Sequence, residues 1–344
     1  MSKISQIDLN FQIPDYVEKA DLCYYDVKSE PFLVCGVFFE DGKFRRLPKA
    51  LAQSLGTGIE YLHTNTSGGR VRFVTDSSYV AIHAELDKVE PMSHIPVTGL
   101  AGFDLYADGE YYGTFVPPMD VKDSYDHILE FSEKKSREIT IHMPLYCDVK
   151  SVLVGLQNTA RVEKAKPYEK KVVYYGHSIT QGGCASRPGN SYPNMLSGRL
   201  HVDHINLGFS GNCKGEARLA QYIAGLTMDA FVMDYDHNAP NIEHLQATHE
   251  PFFKIIREKQ PDLPVIFMTS TAQARFFDDQ AGRKAVIRRT YENALDTGDQ
   301  KVYFIDGSRI YDGCGAATVE GCHANDLGFW LQAGAVEKVL KKLL

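Results

Sequence analysis

No apolar stretch in this chain of 344 residues approaches the roughly 18 residues that a membrane-spanning helix needs. The first 16 residues, MSKISQIDLNFQIPDY, also lack the apolar core of a secretory signal peptide. We therefore expect neither a membrane partner nor a leader. The simplest location for such a chain is the cytoplasm.

Paired cysteines are missing as well. The seven cysteines are scattered, odd in number and never spaced as CxxC: Cys23, Cys35, Cys147, Cys184, Cys213, Cys314 and Cys322. This pattern argues against a disulfide framework and against a zinc knuckle. The sequence therefore predicts no metal, and no motif calls for an organic cofactor.

The chain also has no block of basic residues. Its formal net charge is -7, from 37 Lys and Arg against 44 Asp and Glu. Without a basic cluster we expect no binding to nucleic acid or to an anionic membrane surface. A small molecule or an oligosaccharide is the expected partner, and the sequence does not define the oligomeric state.

The first half of the chain has the patterns of antiparallel strands. GRVRFVTDSSYVAIHAEL (69–86) alternates apolar and polar residues on both sides of a break at Asp76–Ser78. GFDLYADGEYYGTFV (102–116) carries Asp108-Gly109 between two aromatic-rich runs, which predicts a hairpin. We expect a β-sandwich domain, similar to a jelly roll, over residues 1–160.

A different pattern begins after the charged segment 158–171. Short apolar runs alternate with longer helical patterns, and the runs are KVVYYG, HINLGF, AFVMDY, PVIFMTS and KVYFIDG. Strands that are apolar on both faces and alternate with helices form a parallel sheet covered on both sides. We therefore expect a three-layer, doubly wound α/β domain with five strands over residues 161–344.

Ligands of such a sheet bind beyond the carboxyl ends of its strands. Small and polar residues follow the strands at these positions, in GHS, GFSGN and DYDHN, and the last strand feeds a loop that ends in VEGCH. A serine needs a histidine base, the histidine needs a carboxylate, and an oxyanion needs amide donors. These residue types suit acyl transfer.

The four segments resemble the conserved blocks of the SGNH/GDSL hydrolase superfamily, and they occur in the same order: YGHSITQGG, NLGFSGN, DYDHN and VEGCH. GFDLY (102–106) is similar to the GxDLY β-domain that precedes such catalytic domains. Together the resemblance covers nearly the whole chain. It implies a serine esterase without a cofactor.

The resemblance assigns a role to each matching residue. Ser178 would be the nucleophile, His323 the general base and Glu320 the carboxylate, where the superfamily usually has aspartate. The backbone N–H groups of Ser178 and Gly211, with the Asn238 amide, would form the oxyanion hole. His177 replaces the aspartate of the name-giving motif, which is neither nucleophile nor base.

Other readings of these residues stay open at this point. Ser178 could cap the helix after its strand, and Glu320 could be a solvated carboxylate. Arg187 could contact a polar or anionic part of the substrate, or lie on the surface. The spacing of His244 and His249 does not suit a metal site, so we expect these histidines and His237 at the surface.

The resemblance implies an esterase that removes a short acyl group, with an acetylated carbohydrate as the expected substrate. Two other classes compete with this hypothesis. One is a non-catalytic carbohydrate-binding protein on an inherited hydrolase fold, although such a copy would be expected to lose Ser178 or His323. The other is a nucleotide-binding protein of similar layering, but no P-loop or GxGxxG follows the first strand.

Overall fold

The computed structural model describes residues 4–8, 12–13, 17–271, 278–312 and 314–344. Antiparallel strands dominate its first half, and parallel strands alternate with helices in its second half. Within the described residues, no helix combines the length and the apolar character that a bilayer span requires.

The first half builds two larger antiparallel sheets and one small hairpin. One sheet has the order β1-β11-β6-β9, the other has the order β12-β5-β10-β7-β8 with β2 beside β5, and β3 pairs with β4. The strands are β1 (Leu22–Asp26), β2 (Leu33–Cys35), β3 (Phe38–Glu40), β4 (Lys43–Arg45), β5 (Arg70–Thr75), β6 (Tyr79–Asp87), β7 (Phe103–Ala107), β8 (Glu110–Phe115), β9 (Ser124–Glu130), β10 (Arg137–His142), β11 (Asp148–Gln157) and β12 (Val162–Glu163). The helices are α1 (Ile4–Ile7), α2 (Lys49–Ser54), α3 (Thr57–Leu62) and α4 (Val97–Ala101).

The two sheets share one hydrophobic core, as the predicted sandwich requires. Phe73 of β5 and Ile139 of β10 come from one sheet, and Ile82 of β6 and Val154 of β11 come from the other. All four side chains are fully buried in the same cluster. The break at Asp76–Ser78 therefore carries the chain from one sheet to the other.

The second half forms a five-stranded parallel sheet with the order β14-β13-β15-β16-β17. Its strands are β13 (Lys171–Gly176), β14 (Asp203–Gly208), β15 (Ala230–Asp234), β16 (Val265–Met268) and β17 (Val302–Ile305). Its helices are α5 (Ser178–Gln181), α6 (Tyr192–Leu200), α7 (Ala217–Ala224), α8 (Ile242–Lys259), α9 (Gln280–Asp296) and α10 (Asp326–Leu340), with 3₁₀ turns at Pro188–Asn190, Asp236–Asn238, Gly307–Arg309 and Gly315–Ala317.

Alternate residues of β13 show that helices cover both faces of this sheet. Val173 and Tyr175 belong to the cluster that contains side chains of α7, α8 and α9. Val172 and Tyr174 belong to the cluster that contains side chains of α6 and α10. The predicted three-layer α/β fold is therefore confirmed, and the inner strands β15 and β16 are fully buried because helices pack against both faces.

The cluster that includes Val172 and Tyr174 also contains the core of the β-sandwich, so the two halves share one hydrophobic core. β12 still pairs with β5 of the sandwich, whereas β13 begins the parallel sheet at Lys171. The predicted boundary at residue 160 stays a prediction. From the strand pairing we propose that the boundary lies within 164–170.

Candidate active site

The loops that follow three parallel strands meet at the carboxyl edge of the sheet. β13 ends at Gly176, which is the register partner of Gly208 in β14 and of Asp234 in β15. Beyond these ends, the Phe209 N–H donates to the Gly176 carbonyl at 3.0 Å, and Asn238 Nδ2 donates to the Phe209 carbonyl at 3.1 Å. Segments that are far apart in the sequence therefore form one surface.

Ser178 is the first residue of α5, where the chain leaves β13 and turns into a helix. The residue before it caps this helix, because His177 Nδ1 accepts a hydrogen bond from the Ile179 N–H at 3.2 Å. The alternative that Ser178 caps the helix is therefore wrong. Ser178 is 9% exposed, and its hydroxyl has a partner elsewhere.

That partner is His323, on the loop before α10. Ser178 Oγ lies 2.8 Å from His323 Nε2, and His323 Nδ1 lies 2.7 Å from Glu320 Oε1. Because a carboxylate only accepts hydrogen bonds, we place the ring proton on Nδ1, and Nε2 can accept the proton of the serine. The structure thus brings the three candidate catalytic residues into one hydrogen-bonded chain.

Glu320 reaches the ring by folding back over its own turn. Its Oε1 accepts from the backbone N–H of His323 at 2.9 Å as well as from the ring at 2.7 Å. Burial raises the pKa of Glu320, but the two hydrogen bonds from His323 outweigh it and hold the pKa below its ordinary value. The longer side chain of glutamate therefore does not prevent the contact with the histidine.

The three candidate oxyanion donors come from the start of α5 and from the segments that follow β14 and β15. Gly211 has a φ of +70°, in the left-handed region that favours glycine. The hydrogen bond from Asn238 to the Phe209 carbonyl ties the Asn238 side chain to the loop that carries Gly211. The Ser178 N–H belongs to the first turn of α5, where backbone donors have no partner within the helix. Their joint role as an oxyanion hole stays a prediction.

Four ionisable side chains cluster beside Ser178. His177 Nε2 lies 3.1 Å from Asp234 Oδ1, and the ring of His237 stacks on His177 at a centroid distance of 4.4 Å. Burial lowers the pKa of His177, but Asp234 raises it by more, so this pKa lies above its ordinary value. Burial, assisted by Asp234, raises the pKa of Asp236 to about 6. Asp236 is the first residue of the 3₁₀ turn that carries Asn238. This turn therefore contains a carboxyl group with a raised pKa.

Asp236→Asn is expected to flatten the pH dependence of stability. The folded protein binds this proton with a pKa of about 6 against the ordinary 3.8, so the free energy of unfolding falls as the pH rises from about 4 to about 6. The shift corresponds to about 3 kcal/mol. Urea unfolding across this range should show the slope in the wild type and in the exposed control Asp262→Asn, but not in Asp236→Asn. Parallel curves for all three proteins would contradict the expectation.

The β-sandwich supplies contacts to the site that the sequence analysis did not identify. Tyr146 donates from its hydroxyl to the Ser178 carbonyl at 3.2 Å. Gln181, at the end of α5, donates to Asn65 Oδ1 at 3.3 Å, and the buried Arg46 donates to the Gly208 carbonyl. Only the Pro144 break between two strands marks the neighbourhood of Tyr146 in the sequence. No sequence motif indicates that Tyr146 contacts Ser178, which lies 32 residues further along the chain.

Arg187 bonds to the sandwich and not to the Ser178–His323 pair. Its Nη1 donates to Asp104 Oδ2 at 2.8 Å and to the Tyr106 hydroxyl at 2.9 Å, both within the GFDLY segment. Its guanidinium also lies 3.8 Å from the ring centroid of Tyr111. Arg187 therefore joins the two halves, and its contact with a substrate stays a prediction.

Among the described residues, three groups of side chains have the spacing to hold a metal ion, with ligand atoms within 4.8 Å of one another: His177, Asp236 and His237; His94, Cys184 and His323; Glu320, Cys322 and His323. In the last two groups a metal would displace the hydrogen bonds of His323 to Ser178 or Glu320. In the first group both ring nitrogens of His177 already have partners. We assign no metal to these groups.

The other histidines near this strand end do not converge. His249 is 1% exposed, and its Nδ1 lies 2.9 Å from Thr290 Oγ1, so the expected surface position is wrong for this residue. It is buried because α9 packs on α8 there. His244 Nε2 lies 2.7 Å from the Lys214 carbonyl instead. The two rings bond to different segments, and they form no shared site.

Two known protein families match this chain, one in each half. The pattern of the GDSL-like Lipase/Acylhydrolase family matches residues 169–341. The pattern described as the N-terminus of Esterase_SGNH_hydro-type, GxDLY, matches residues 22–162. A search of curated proteins finds no significant match.

Solved structures share the whole architecture. A protein from Bacteroides ovatus ATCC 8483, assigned as a GDSL-like lipase, is 26% identical, with a TM-score of 0.85 over 94% of this chain and 98% of its own. The salicylyl-acyltransferase SsfX3 of a tetracycline biosynthetic pathway is 20% identical, with a TM-score of 0.81 over 95% and 99%. A family two carbohydrate esterase from Clostridium thermocellum, in complex with cellohexaose, is 13% identical, with a TM-score of 0.64 over 90% and 98%. The last two likenesses establish the fold alone.

Proposed function

Since the chain belongs to the GDSL-like lipase/acylhydrolase family and carries the GxDLY unit of SGNH-type esterases, we propose that it is a serine esterase. Its proposed reaction is the removal of a short acyl group, an acetyl group, from a carbohydrate alcohol. The observation that carries this proposal is the hydrogen-bonded chain from Ser178 through His323 to Glu320 at the carboxyl edge of the parallel sheet.

In the first step, Ser178 Oγ attacks the ester carbonyl while its proton passes to His323 Nε2. Glu320 stabilises the imidazolium through the hydrogen bond to Nδ1. The tetrahedral oxyanion accepts hydrogen bonds from the N–H groups of Ser178 and Gly211 and from the Asn238 amide. As the intermediate collapses, His323 returns the proton to the leaving alcohol, and an acyl-serine remains.

In the second step, a water molecule loses a proton to His323 Nε2 and attacks the acyl carbonyl. The same donors hold the second oxyanion. Collapse breaks the bond between the acyl carbon and Ser178 Oγ, and the proton on His323 restores the serine hydroxyl. The acid leaves with one oxygen from water, so the cycle needs no metal, reductant or cofactor.

Gly183 lies close beside the catalytic pair. A Cβ placed on it would lie 2.9 Å from the Tyr146 hydroxyl, 3.1 Å from the Ser178 carbonyl and 3.5 Å from His323 Cδ2. A side chain here would therefore disturb the hydrogen bond from Tyr146 to the Ser178 carbonyl. The proposed preference for an acetyl group rests on the likeness to carbohydrate esterases of the same architecture.

A panel of esters tests the proposed substrate class. We expect fast hydrolysis of p-nitrophenyl acetate, slower hydrolysis as the acyl chain lengthens, and release of acetate from acetylated xylan and acetylated cello-oligosaccharides. The structurally similar carbohydrate esterase from Clostridium thermocellum was solved in complex with cellohexaose, and this motivates the choice of sugars. If the protein hydrolysed only acetate esters of non-sugar alcohols, a carbohydrate would be excluded as its substrate. No activity on any ester would favour the non-catalytic alternative.

Asn238→Ala is expected to lower kcat about 100- to 1000-fold, which is the usual effect of removing one oxyanion donor. Steady-state hydrolysis of p-nitrophenyl acetate measures this loss. Asn241→Ala is the matched control, because its side chain caps α8 through the His244 N–H at 2.8 Å. The control should lose about 1 kcal/mol of stability and keep its activity. Near-normal activity of a folded Asn238→Ala protein would remove Asn238 from the site.

A further inference from the structure

A groove of about 1010 Å³ runs between the β-sandwich and the α/β half, and none of its lining residues belongs to the proposed catalytic set. β7, β8 and β10 form one wall, and α6 and the start of α10 form the other. The volume lies at the upper end of the range for pockets that bind small organic ligands. The groove is therefore large enough for a ligand of its own.

Four rings of tyrosine and tryptophan line this groove, and three of them are stacked with a guanidinium that holds them in place. Arg187 lies 3.8 Å from the centroid of Tyr111, Arg199 lies 4.0 Å from that of Trp330, and Arg72 lies 3.8 Å from that of Tyr168. Trp330 is nevertheless 60% exposed and Tyr111 46% exposed. Rigid aromatic surfaces with polar edges suit ligands that have both apolar faces and hydroxyl groups.

Two of the polar side chains that line the groove are buried and interact with each other. His142 is 5% exposed and Asn194 is 2% exposed, and a side-chain hydrogen bond from Asn194 acts on the His142 ring. Burial, assisted by Arg70 and Arg187, lowers the pKa of His142 to about 3, so the ring is neutral. These two side chains therefore add no charge to the groove, and its exposed polar groups are the carboxylates and the remaining polar side chains.

The charge of the groove excludes a strongly anionic ligand. Four carboxylates line it (Asp108, Glu110, Glu138 and Asp326), against two arginines. Those arginines are already paired, Arg187 with Asp104 and Arg199 with Glu337. A ligand that offers hydroxyl groups to carboxylates and amides, without negative charge of its own, fits this lining.

Gly198 keeps the groove open on the side of α6. A Cβ built there meets no atom within 4 Å. A glycine inside a helix costs about 1 kcal/mol relative to alanine, so the helix would be more stable with a side chain at this position. The missing side chain leaves open space on this side of the groove.

From these observations we propose that the groove is a second binding site, which takes a neutral oligosaccharide chain and lies apart from Ser178. Sugar rings would stack on Tyr111 and Trp330, and their hydroxyl groups would bond to the carboxylates that line the groove. The inference does not depend on the esterase activity, because binding in the groove uses none of the catalytic residues. A chain held there would keep the protein on a polysaccharide between catalytic events.

The chain contains a single tryptophan, Trp330, so its fluorescence reports on this groove directly. Titration with cellohexaose and with xylohexaose should shift the emission to shorter wavelength, because a stacked sugar removes water from an exposed indole. Hexagalacturonic acid, an anionic chain of the same length, should bind at least about tenfold more weakly, because carboxylates outnumber cations in the groove lining and both lining arginines are already paired. Calorimetry on the same samples gives an independent dissociation constant.

Matched variants test whether the ligand lies where we place it. Gly198→Phe should abolish binding by filling the groove, whereas Gly198→Ala should leave it intact. Tyr111→Ala should weaken binding at least about tenfold, as expected for an aromatic anchor. Tyr112→Ala is its control, because Tyr112 is 42% exposed and bonds to the Glu130 carbonyl outside the groove. Ser178→Ala should bind with the wild-type constant.

Three results would overturn the proposal. The first is no change in Trp330 emission and no heat with either neutral oligosaccharide up to its solubility limit. The second is binding that Gly198→Phe and Tyr111→Ala leave unchanged while thermal unfolding shows both variants to be folded. The third is competitive inhibition of p-nitrophenyl acetate hydrolysis with the same constant as sugar binding, which would place the sugar at Ser178. Since none of the binding measurements needs turnover, an inactive esterase would leave them interpretable.

Discussion

Ser178→Ala is expected to reduce the hydrolysis of p-nitrophenyl acetate about a millionfold, to the level that binding and oxyanion donors alone provide. The hydroxyl is the only part of the side chain that alanine lacks, and it is the group that His323 Nε2 contacts at 2.8 Å. Without it no acyl-enzyme forms. Paired measurements of wild type and variant at one pH, with trace wild-type contamination excluded, give the ratio.

Ser308→Ala is the control for this substitution, since the Ser308 hydroxyl bonds to Asp306 and Lys284 beyond β17. It should hydrolyse the ester at the wild-type rate. A fluorophosphonate probe should label the wild type and the control at Ser178, and mass spectrometry should find no such adduct on Ser178→Ala. Equal rates for wild type and folded Ser178→Ala would show that this serine is not the nucleophile.

His323→Ala is expected to cost about a millionfold and Glu320→Ala about ten-thousandfold, following the pattern of serine hydrolases in which the carboxylate assists a base that does the proton transfer. The structure gives the physical reason. His323 contacts the reacting oxygen, whereas Glu320 acts through Nδ1 of the ring. Rates and pH profiles of both variants on p-nitrophenyl acetate measure the difference.

Glu320→Gln tests the effect of the negative charge separately from the effect of the side chain's position. Glutamine can still accept from the His323 backbone N–H, but it no longer stabilises an imidazolium with a negative charge. We expect a loss close to that of Glu320→Ala, and full activity in the exposed control Glu258→Ala. Equal losses in Glu320→Ala and His323→Ala, with both proteins folded, would show that the carboxylate does more than assist.

The alternating pattern of the first half predicted the antiparallel strands of the β-sandwich. This was possible because side chains alternate in direction along every strand, whichever strands pair with it. The Asp108-Gly109 turn was equally readable. Both residues have positive φ, 54° and 84°, which is the backbone that a two-residue hairpin demands. The five apolar runs of the second half became five parallel strands for a different reason, because a strand covered by helices on both faces needs apolar residues at successive positions.

The grouping of Ser178 and His323 was predictable because parallel strands release their loops at one edge. The cap formed by His177 was not, since its ring acts as an acceptor only in the geometry of this turn. Nor was the pairing of Arg187 with Asp104 across 83 residues. Such contacts depend on how the two halves pack, and no local pattern records them.

The shared core also bears on how this protein could have been assembled. Val172 and Tyr174 lie in the same apolar cluster as Phe73 and Ile82 of the sandwich, and Arg46 from the first half bonds to a carbonyl at the end of β14. A chimera that joined the α/β half to an unrelated N-terminal module would begin with a bare apolar face and an unbonded carbonyl at the end of β14. Recombination would therefore preserve the enzyme only when the gene segments for the β-sandwich half and the α/β half move together. The two halves would then be inherited as one unit.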